Sequence, residues 1–244
     1  MSKVYLILGA SSDIGCKLVK KINETDEGAL IYAHYHTHNS ISTIAKMNGN
    51  EIVPIKADLS TEEGVNEILK AVMGKNRIPN AVIHLPAPKL EFIKFKDLAW
   101  SECEKDIVIQ VSSVFKILQK LLPQMIKLEN RSKVVFILSE NTVQLPAKYS
   151  TKYTMSKYLL LGLMESLTAE YMGKKININA VSPSMVNTKL LSKIDPRMLE
   201  ISGATGKMLL PENVVPKIMW LLSSDSDDMY GQNIYIPGKE EKDE

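Results

Sequence analysis

Short apolar runs alternate along the chain with longer segments whose apolar residues recur about every 3.6 positions. The first run, Val4-Tyr5-Leu6-Ile7-Leu8, has no polar position, which is what a strand covered on both faces requires. Further runs lie at residues 29–34, 51–56, 80–85, 133–138, 176–181 and 233–236. Helical patterning continues after Gly15 through Ile22, then occupies 62–73, 98–127, 153–172 and 211–222. Strands that alternate with helices predict an α/β fold: a parallel sheet with right-handed crossovers and helices on both faces.

No linker, repeat or low-complexity block interrupts this alternation, so the pattern predicts one domain over residues 1–238. Residues 239–244, all charged, read as a solvated, disordered tail. Two helical stretches carry wide apolar stripes. One holds Ile107, Val111, Val114, Leu118, Leu121 and Leu122, the other Leu160, Leu163, Met164 and Leu167. Burial within the monomer explains such stripes, and so does a helix–helix face shared between subunits.

Composition narrows the class without choosing a reaction. The 244 residues are 45% hydrophobic and 24% charged, ample for a full core. A net charge of +2 gives no argument for nucleic acid or an anionic membrane surface. Cys16 and Cys103 form neither a disulfide framework nor metal-ligand spacing, which fits a reduced, cytoplasmic compartment. The start runs straight into a strand without a signal-peptide pattern, and no apolar run is long enough to span a bilayer.

The first chemical signal is the break after the first strand, Gly9-Ala10-Ser11-Ser12-Asp13-Ile14-Gly15. A strand, a glycine-containing turn and a helix start together suit a dinucleotide. Gly9 lets the backbone approach a pyrophosphate, Gly15 permits close helix packing, and free N–H groups attract the anion. Asp13 stands where a third glycine is often found and reads as a helix cap.

An acidic residue at the end of the second strand would hold a ribose hydroxyl pair, but Tyr32-Ala33-His34-Tyr35-His36-Thr37-His38-Asn39-Ser40 has none. Ser11, His36, Thr37, Asn39 and Ser40 instead suit a 2′-phosphate, favouring NADP(H) over NAD(H). Histidines at 34, 36 and 38 would share one face of a strand, yet no carboxylate or cysteine joins them as metal ligands. Asp58, at the end of the third strand, reads as a contact to adenine or as a helix cap.

The second signal is Tyr153-Thr154-Met155-Ser156-Lys157, with Ser139 upstream at the end of a strand. Residues four apart share a helix face, so the phenol and the ammonium can meet in one pocket. A cation beside a tyrosine favours phenolate and lowers its pKa, making Tyr153 a candidate general acid/base. Ser139 is a candidate donor to a substrate oxygen.

Together with Asp58, Val181-Ser182-Pro183, Thr188 and Gly231-Gln232, these pieces resemble the short-chain dehydrogenase/reductase family over essentially the whole chain. The pattern is nearest to the 3-oxoacyl carrier-protein reductases and small-molecule carbonyl reductases. The resemblance implies a Rossmann-type doubly wound sheet of seven parallel strands in a three-layer α/β/α arrangement. It also implies homotetramers or homodimers built on the two long helices. Departures are His84-Leu85-Pro86-Ala87-Pro88 where many members carry Asn-Asn-Ala-Gly, and Gln110 where a helical Asn holds a water leading to the lysine. Ser139, rather than Glu140, takes the serine position because it sits at the strand end.

In roles carried over from the family, Tyr153 exchanges a proton with a carbonyl or alcohol oxygen. Lys157 holds the nicotinamide ribose, Ser139 binds the substrate oxygen, and Gln110 completes the catalytic set. The implied cofactor contacts are Gly9, Ser11, Ser12, Asp13, Ile14, Gly15, His36, Asn39, Asp58, Leu59, Leu85, Ala87, Tyr153, Lys157, Pro183, Val186 and Thr188. A substrate lid is expected around residues 189–210, with Ile194, Met198, Leu199, Ile201 and Met208 apolar and Gly203 and Gly206 mobile. That composition suits a small apolar ketone or a 3-oxoacyl chain, free or carrier-bound; Lys189, Lys193, Arg197 and Lys207 read equally as a rim that docks an acidic carrier protein and as solvated surface. Two other readings stay open: an NAD(P)-dependent alcohol dehydrogenase running oxidatively, and a cofactor-binding module with weak turnover.

Overall fold

The computed structural model describes residues 3–74, 77–191, 194–202 and 208–238. Every apolar run becomes a strand: β1 (Val4–Leu8), β2 (Leu30–Tyr35), β3 (Glu51–Lys56), β4 (Ala81–His84), β5 (Ser132–Ile137), β6 (Ile176–Pro183) and β7 (Asn233–Ile236). They form one parallel sheet in the order β3-β2-β1-β4-β5-β6-β7. The central strands β1, β4, β5 and β6 are buried at every position, the consequence of having helices on both faces.

The main helices are α1 (Asp13–Thr25), α2 (Glu62–Met73), α3 (Trp100–Ile107), α4 (Ser113–Met125), α5 (Thr151–Tyr171), α6 (Pro196–Ser202) and α7 (Pro211–Leu222). One core joins α2, α4 and α5 to one sheet face through Leu6, Val82, Ile117, Leu121, Phe136 and Leu160. The other joins α1 and α7 to the opposite face through Ile7, Leu18, Ile83, Val135, Val214 and Ile218. Sheet order and the two cores match the doubly wound, three-layer expectation.

The helical stretch 98–127 is not one helix. A π-helical turn, Val108–Ser112, separates α3 from α4, and Gln110 lies inside it. Most of the stripe residues are consumed by the monomer core: Val114, Leu118, Leu121, Leu122, Leu160 and Met164 are buried. A different set, Val108, Phe115, Tyr158 and Leu159, is exposed along α4, α5 and the π turn. No helix among the described residues is long and apolar enough to cross a membrane. Residues 239–244, with Lys193, Gly203, Gly206 and Lys207, lie outside the described residues.

Candidate active site

β1 and β4 are adjacent but their connections leave in opposite directions, and a cleft of about 860 Å³ opens over their C-terminal ends. Gly9 ends β1 with φ at +77°, a conformation side chains resist, and a Cβ there would come within 3.1 Å of the Pro86 nitrogen. At Gly15 a Cβ would sit 2.6 Å from the carbonyl oxygens of Gly9 and Ala10. The turn and the first turn of α1 therefore pack backbone against backbone, leaving the helix N-terminus facing the cleft as an anion site. A pyrophosphate fits this cradle.

Asp13 is not the helix cap. Ser12 takes that role, its Oγ accepting from the Gly15 N–H at 3.1 Å. The Asp13 carboxylate instead accepts from the Lys189 N–H at 2.7 Å and ties the turn to the segment after β6. Asp58 is not a cap either, since Thr61 caps α2 through the Gly64 N–H. Its carboxylate accepts from the Ser60 N–H and hydroxyl at 2.9 and 2.7 Å, which holds its pKa below the ordinary value. His36 Nε2 lies 3.5 Å from the same carboxylate.

β2 stops at Tyr35, so His36 and His38 leave the strand and do not share a face with His34. Among the described residues no cluster could hold a metal ion. His34 has a structural task. Its Nδ1 accepts from the Gly9 N–H at 3.0 Å, and its Nε2 donates to the Ala57 carbonyl at 3.1 Å. That pairing fixes the neutral tautomer, burial lowers its pKa, and the ring braces the phosphate turn against the end of β3.

At the other end of the cleft, α5 presents Tyr153 and Lys157 on one face. The Lys157 Nζ is 5.5 Å from the centre of the Tyr153 ring and donates to the Ile137 carbonyl at 2.9 Å. Ser139 follows β5 and lies near enough to Tyr153 to act on the phenol; its Oγ accepts from the Asn141 N–H at 3.3 Å. Burial outweighs the expected effect of the lysine. It lowers Lys157 from 10.5 to about 7 and raises Tyr153 from 10.0 to about 12, against the pull of Ser139 and with the nearby Glu140 adding to the rise. The tyrosine is therefore raised rather than depressed. The reason is that removing water costs both groups their charged forms. Tyr153 keeps part of its surface open to the cleft, and solvent there moderates the rise.

One cleft wall brings together Gly9, Ser11, Ser12, Asp13, Ile14, His36, Asp58, Leu59, Leu85, Ala87, Ser139, Tyr153, Lys157, Pro183, Val186 and Thr188. Three expected residues stand off it. Gly15 is buried under the turn, Asn39 caps the 3₁₀ turn Ser40–Thr43, and Gln110 is buried in the π turn. The substrate end also departs from expectation: Ile194, Met198, Leu199, Ile201 and Met208 do not line the cleft. Its apolar wall comes from Leu90, Phe92, Leu145, Pro146, Leu190 and Leu191, with Glu140, Asn141 and Gln144 adding polarity. Most of these residues lie in loops, which carry no periodicity by which to find them. The loop after β4 is clamped to α5 by Lys152, whose Nζ is 2.6 Å from Glu91 Oε2 and 3.5 Å from Asp106 Oδ2.

A family model described as "Enoyl-(Acyl carrier protein) reductase" matches residues 9–238. The chain belongs to the short-chain dehydrogenase/reductase family. Its relatives in this family are distant. It is 26% identical over 245 residues to the 3-oxoacyl-[acyl-carrier-protein] reductase FabG of Thermotoga maritima, covering 97% of this chain and 96% of that one. It is 24% identical to glucose 1-dehydrogenase 2 of Bacillus subtilis, covering 97% and 93%. Among solved structures, 4-hydroxyisoleucine dehydrogenase complexed with NADH superposes with a TM-score of 0.82 at 20% identity, over 97% and 98% of the chains. That likeness is one of fold. An oxidoreductase with an NAD(P)-binding Rossmann fold is the activity class these family members share with the chain.

Proposed function

We propose that the protein reduces a small apolar ketone, a 3-oxoacyl group among the candidates, to a secondary alcohol with NADP(H). The observation that carries this reading is the joining of the phosphate turn and the Ser139–Tyr153–Lys157 set in one cleft whose far wall is apolar. The α1 N-terminus and the Gly9 turn would hold the pyrophosphate, Asp58 and Leu59 the adenine side, and Val186 and Thr188 the nicotinamide side. The nicotinamide, when bound, supplies or accepts the hydride.

The chain's own residues orient the carbonyl and manage the proton. Ser139 donates a hydrogen bond to the substrate oxygen and stabilises charge as it develops. Tyr153 gives its phenolic proton to that oxygen as general acid. Lys157 supplies positive charge beside the phenolate left behind. A general acid of this kind contributes about 10²–10⁴-fold to the rate. Leu90, Phe92, Leu145 and Leu190 exclude water and favour an apolar substituent on the ketone.

NADP(H) is supported by Ser11, His36, Thr37 and Ser40 around the adenosine end and by the lack of a carboxylate at the end of β2. One observation favours NAD(H) instead: the Asp58 carboxylate, 3.5 Å from His36, would oppose a second phosphate. The exposed apolar residues of α4, α5 and the π turn support a homodimer or homotetramer, and a cytoplasmic location suits the free cysteines.

The reading is tested by following NADPH consumption with a panel of ketones that includes an acetoacetyl thioester, a short aliphatic ketone and an aldose. Turnover that rises with the apolar character of the ketone is expected. Turnover confined to the sugar would replace the substrate class.

A further inference from the structure

Ser139 and Tyr153 stand on different elements, so their relative placement depends on what ties the turn after β5 to the start of α5. Ser139 caps the 3₁₀ turn Glu140–Thr142, its Oγ accepting from the Asn141 N–H at 3.3 Å. A hydroxyl that accepts there keeps its single hydrogen for another acceptor. Thr142 holds the same turn from the sheet side. Its hydroxyl donates to the Ser139 carbonyl at 2.8 Å and accepts from Asn233 Nδ2, on β7, at 3.1 Å.

The tie to α5 runs through the Asn141 side chain, which is buried although the residue borders the cleft. Asn141 Nδ2 donates to the Ser150 hydroxyl at 3.2 Å and to Thr154 Oγ1 at 2.9 Å. Ser150, at the N-cap position of α5, spends its own hydrogen on the Ala147 carbonyl at 2.7 Å. The 3.1 Å contact between the two hydroxyls is therefore donated by Thr154. Each N–H and O–H in the group is then used once, which leaves the amide a single orientation. Such a closed network of buried polar groups is rigid, and losing one member leaves the others unsatisfied.

We propose that Asn141 is a positioning residue for Ser139. Its side chain is a strut from the turn to the first turn of α5, and its backbone N–H holds the Ser139 oxygen so that the hydroxyl hydrogen is left for the substrate oxygen. Because α5 is anchored in the core by Leu160 and Met164, the strut places the turn against the helix. Thr154, the far end of the strut, adjoins Tyr153, so Ser139 is held in register with the residue that gives the proton. Misplacing a catalytic group by about 1 Å costs on the order of 10²-fold in rate.

This inference rests on the assignment of Ser139 and Tyr153 to the reaction, and the experiment separates the two. Hydrogen exchange at the Asn141 amide is read in cofactor-free protein, and single-turnover reduction of an acetoacetyl thioester is read with saturating NADPH. The proteins are wild type, Thr154→Val, Thr154→Ser, Ser139→Ala and the double variant Ser139→Ala with Thr154→Val. Thr154→Val should speed the exchange roughly tenfold and slow reduction about ten- to a hundredfold, with NADPH affinity held within about twofold. Thr154→Ser keeps the hydroxyl and should recover most of both. On top of Ser139→Ala, Thr154→Val should cost less than about a further twofold, since the strut acts through a hydroxyl already gone. Unchanged exchange in Thr154→Val, a parallel loss of NADPH affinity, or a further loss on Ser139→Ala as large as on wild type would overturn the inference and leave the assignment standing. Full turnover in Ser139→Ala, or no ketone reduced by the wild type, would overturn the assignment and the inference with it. Should Thr154→Val fail to fold, Asn141→Ala takes its place in the same cycle with the same outcomes.

Discussion

The Asp13 carboxylate accepts a hydrogen bond from the Lys189 N–H at 2.7 Å, joining the phosphate turn to the segment that walls the substrate end, 176 residues away in sequence. This exposed contact is one tie between the two sides of the cleft. Asp13→Ala should leave the fold intact and speed hydrogen exchange at the Lys189 amide by roughly tenfold, the size expected of about 1.4 kcal/mol for a charge-assisted bond. Unchanged exchange there would show that the segment is held elsewhere.

Gly15 is a sharper test of the nucleotide cradle. A methyl group 2.6 Å from two backbone carbonyls cannot be absorbed by a side-chain movement. Gly15→Ala should destabilise the protein by about 1–3 kcal/mol and weaken NADPH binding at least tenfold. Thermal melts and fluorescence titration measure the two effects. Full affinity in this variant would mean that the pyrophosphate binds away from the turn.

The adenosine end gives a prediction about cofactor choice. If His36, Ser11 and Ser40 meet a 2′-phosphate, His36→Ala should weaken NADPH by about 1 kcal/mol, roughly fivefold, and leave NADH nearly unaffected. Tighter binding of NADH than of NADPH by the wild type would favour the reading in which Asp58 repels a second phosphate.

Lys157 links function to stability. Burial lowers its pKa from 10.5 to about 7 in the folded protein. Between those values the unfolded chain binds a proton that the folded chain has lost, so this residue's contribution to stability rises with pH across that interval. Lys157→Met should therefore be inactive yet more stable than the cofactor-free wild type at pH 7, by on the order of 2–4 kcal/mol. The gain should fade as pH approaches 10.5, which chemical denaturation at several pH values would reveal.

The clamp on the loop after β4 predicts a separation of kinetic effects. Lys152→Met leaves the Asp106 carboxylate buried without its cation and frees Glu91, which is itself half exposed. A stability loss of about 1–3 kcal/mol is expected, below the cost for a fully buried pair. Substrate KM should rise as the wall loosens, with kcat within about twofold because the group lies away from the reacting oxygen.

Much of this architecture was legible in the sequence because it depends on local pattern. Short apolar runs gave the seven strands, and the Gly9–Gly15 turn and the Tyr153–Lys157 spacing are contiguous in sequence. What was not legible depends on contacts between distant segments. Nothing local says that His34 will hold Gly9 and Ala57, that Asp13 will hold Lys189 while Ser12 caps α1, or that Lys152 will clamp Glu91. Of the segment 189–210, Lys189, Leu190 and Leu191 line the cleft, whereas Ile194, Met198 and Leu199 were singled out by apolar character alone. Leu90, Phe92 and Leu145 sit in loops whose course only the folded chain defines. The direction of the Tyr153 shift was misread for a related reason, since spacing shows that a cation is near but not how much water has been removed from both groups.

The central claim is that Tyr153 gives up the proton in a site built for hydride exchange with a carbonyl. Its most direct test is single-turnover reduction of a ketone by NADPH with wild type and Tyr153→Phe, alongside NADPH binding to each. The phenyl ring preserves the packing and removes only the hydroxyl. Retained NADPH affinity with a loss of about 10²–10⁴ in the reduction rate is the predicted result. Undiminished reduction by Tyr153→Phe would contradict the account.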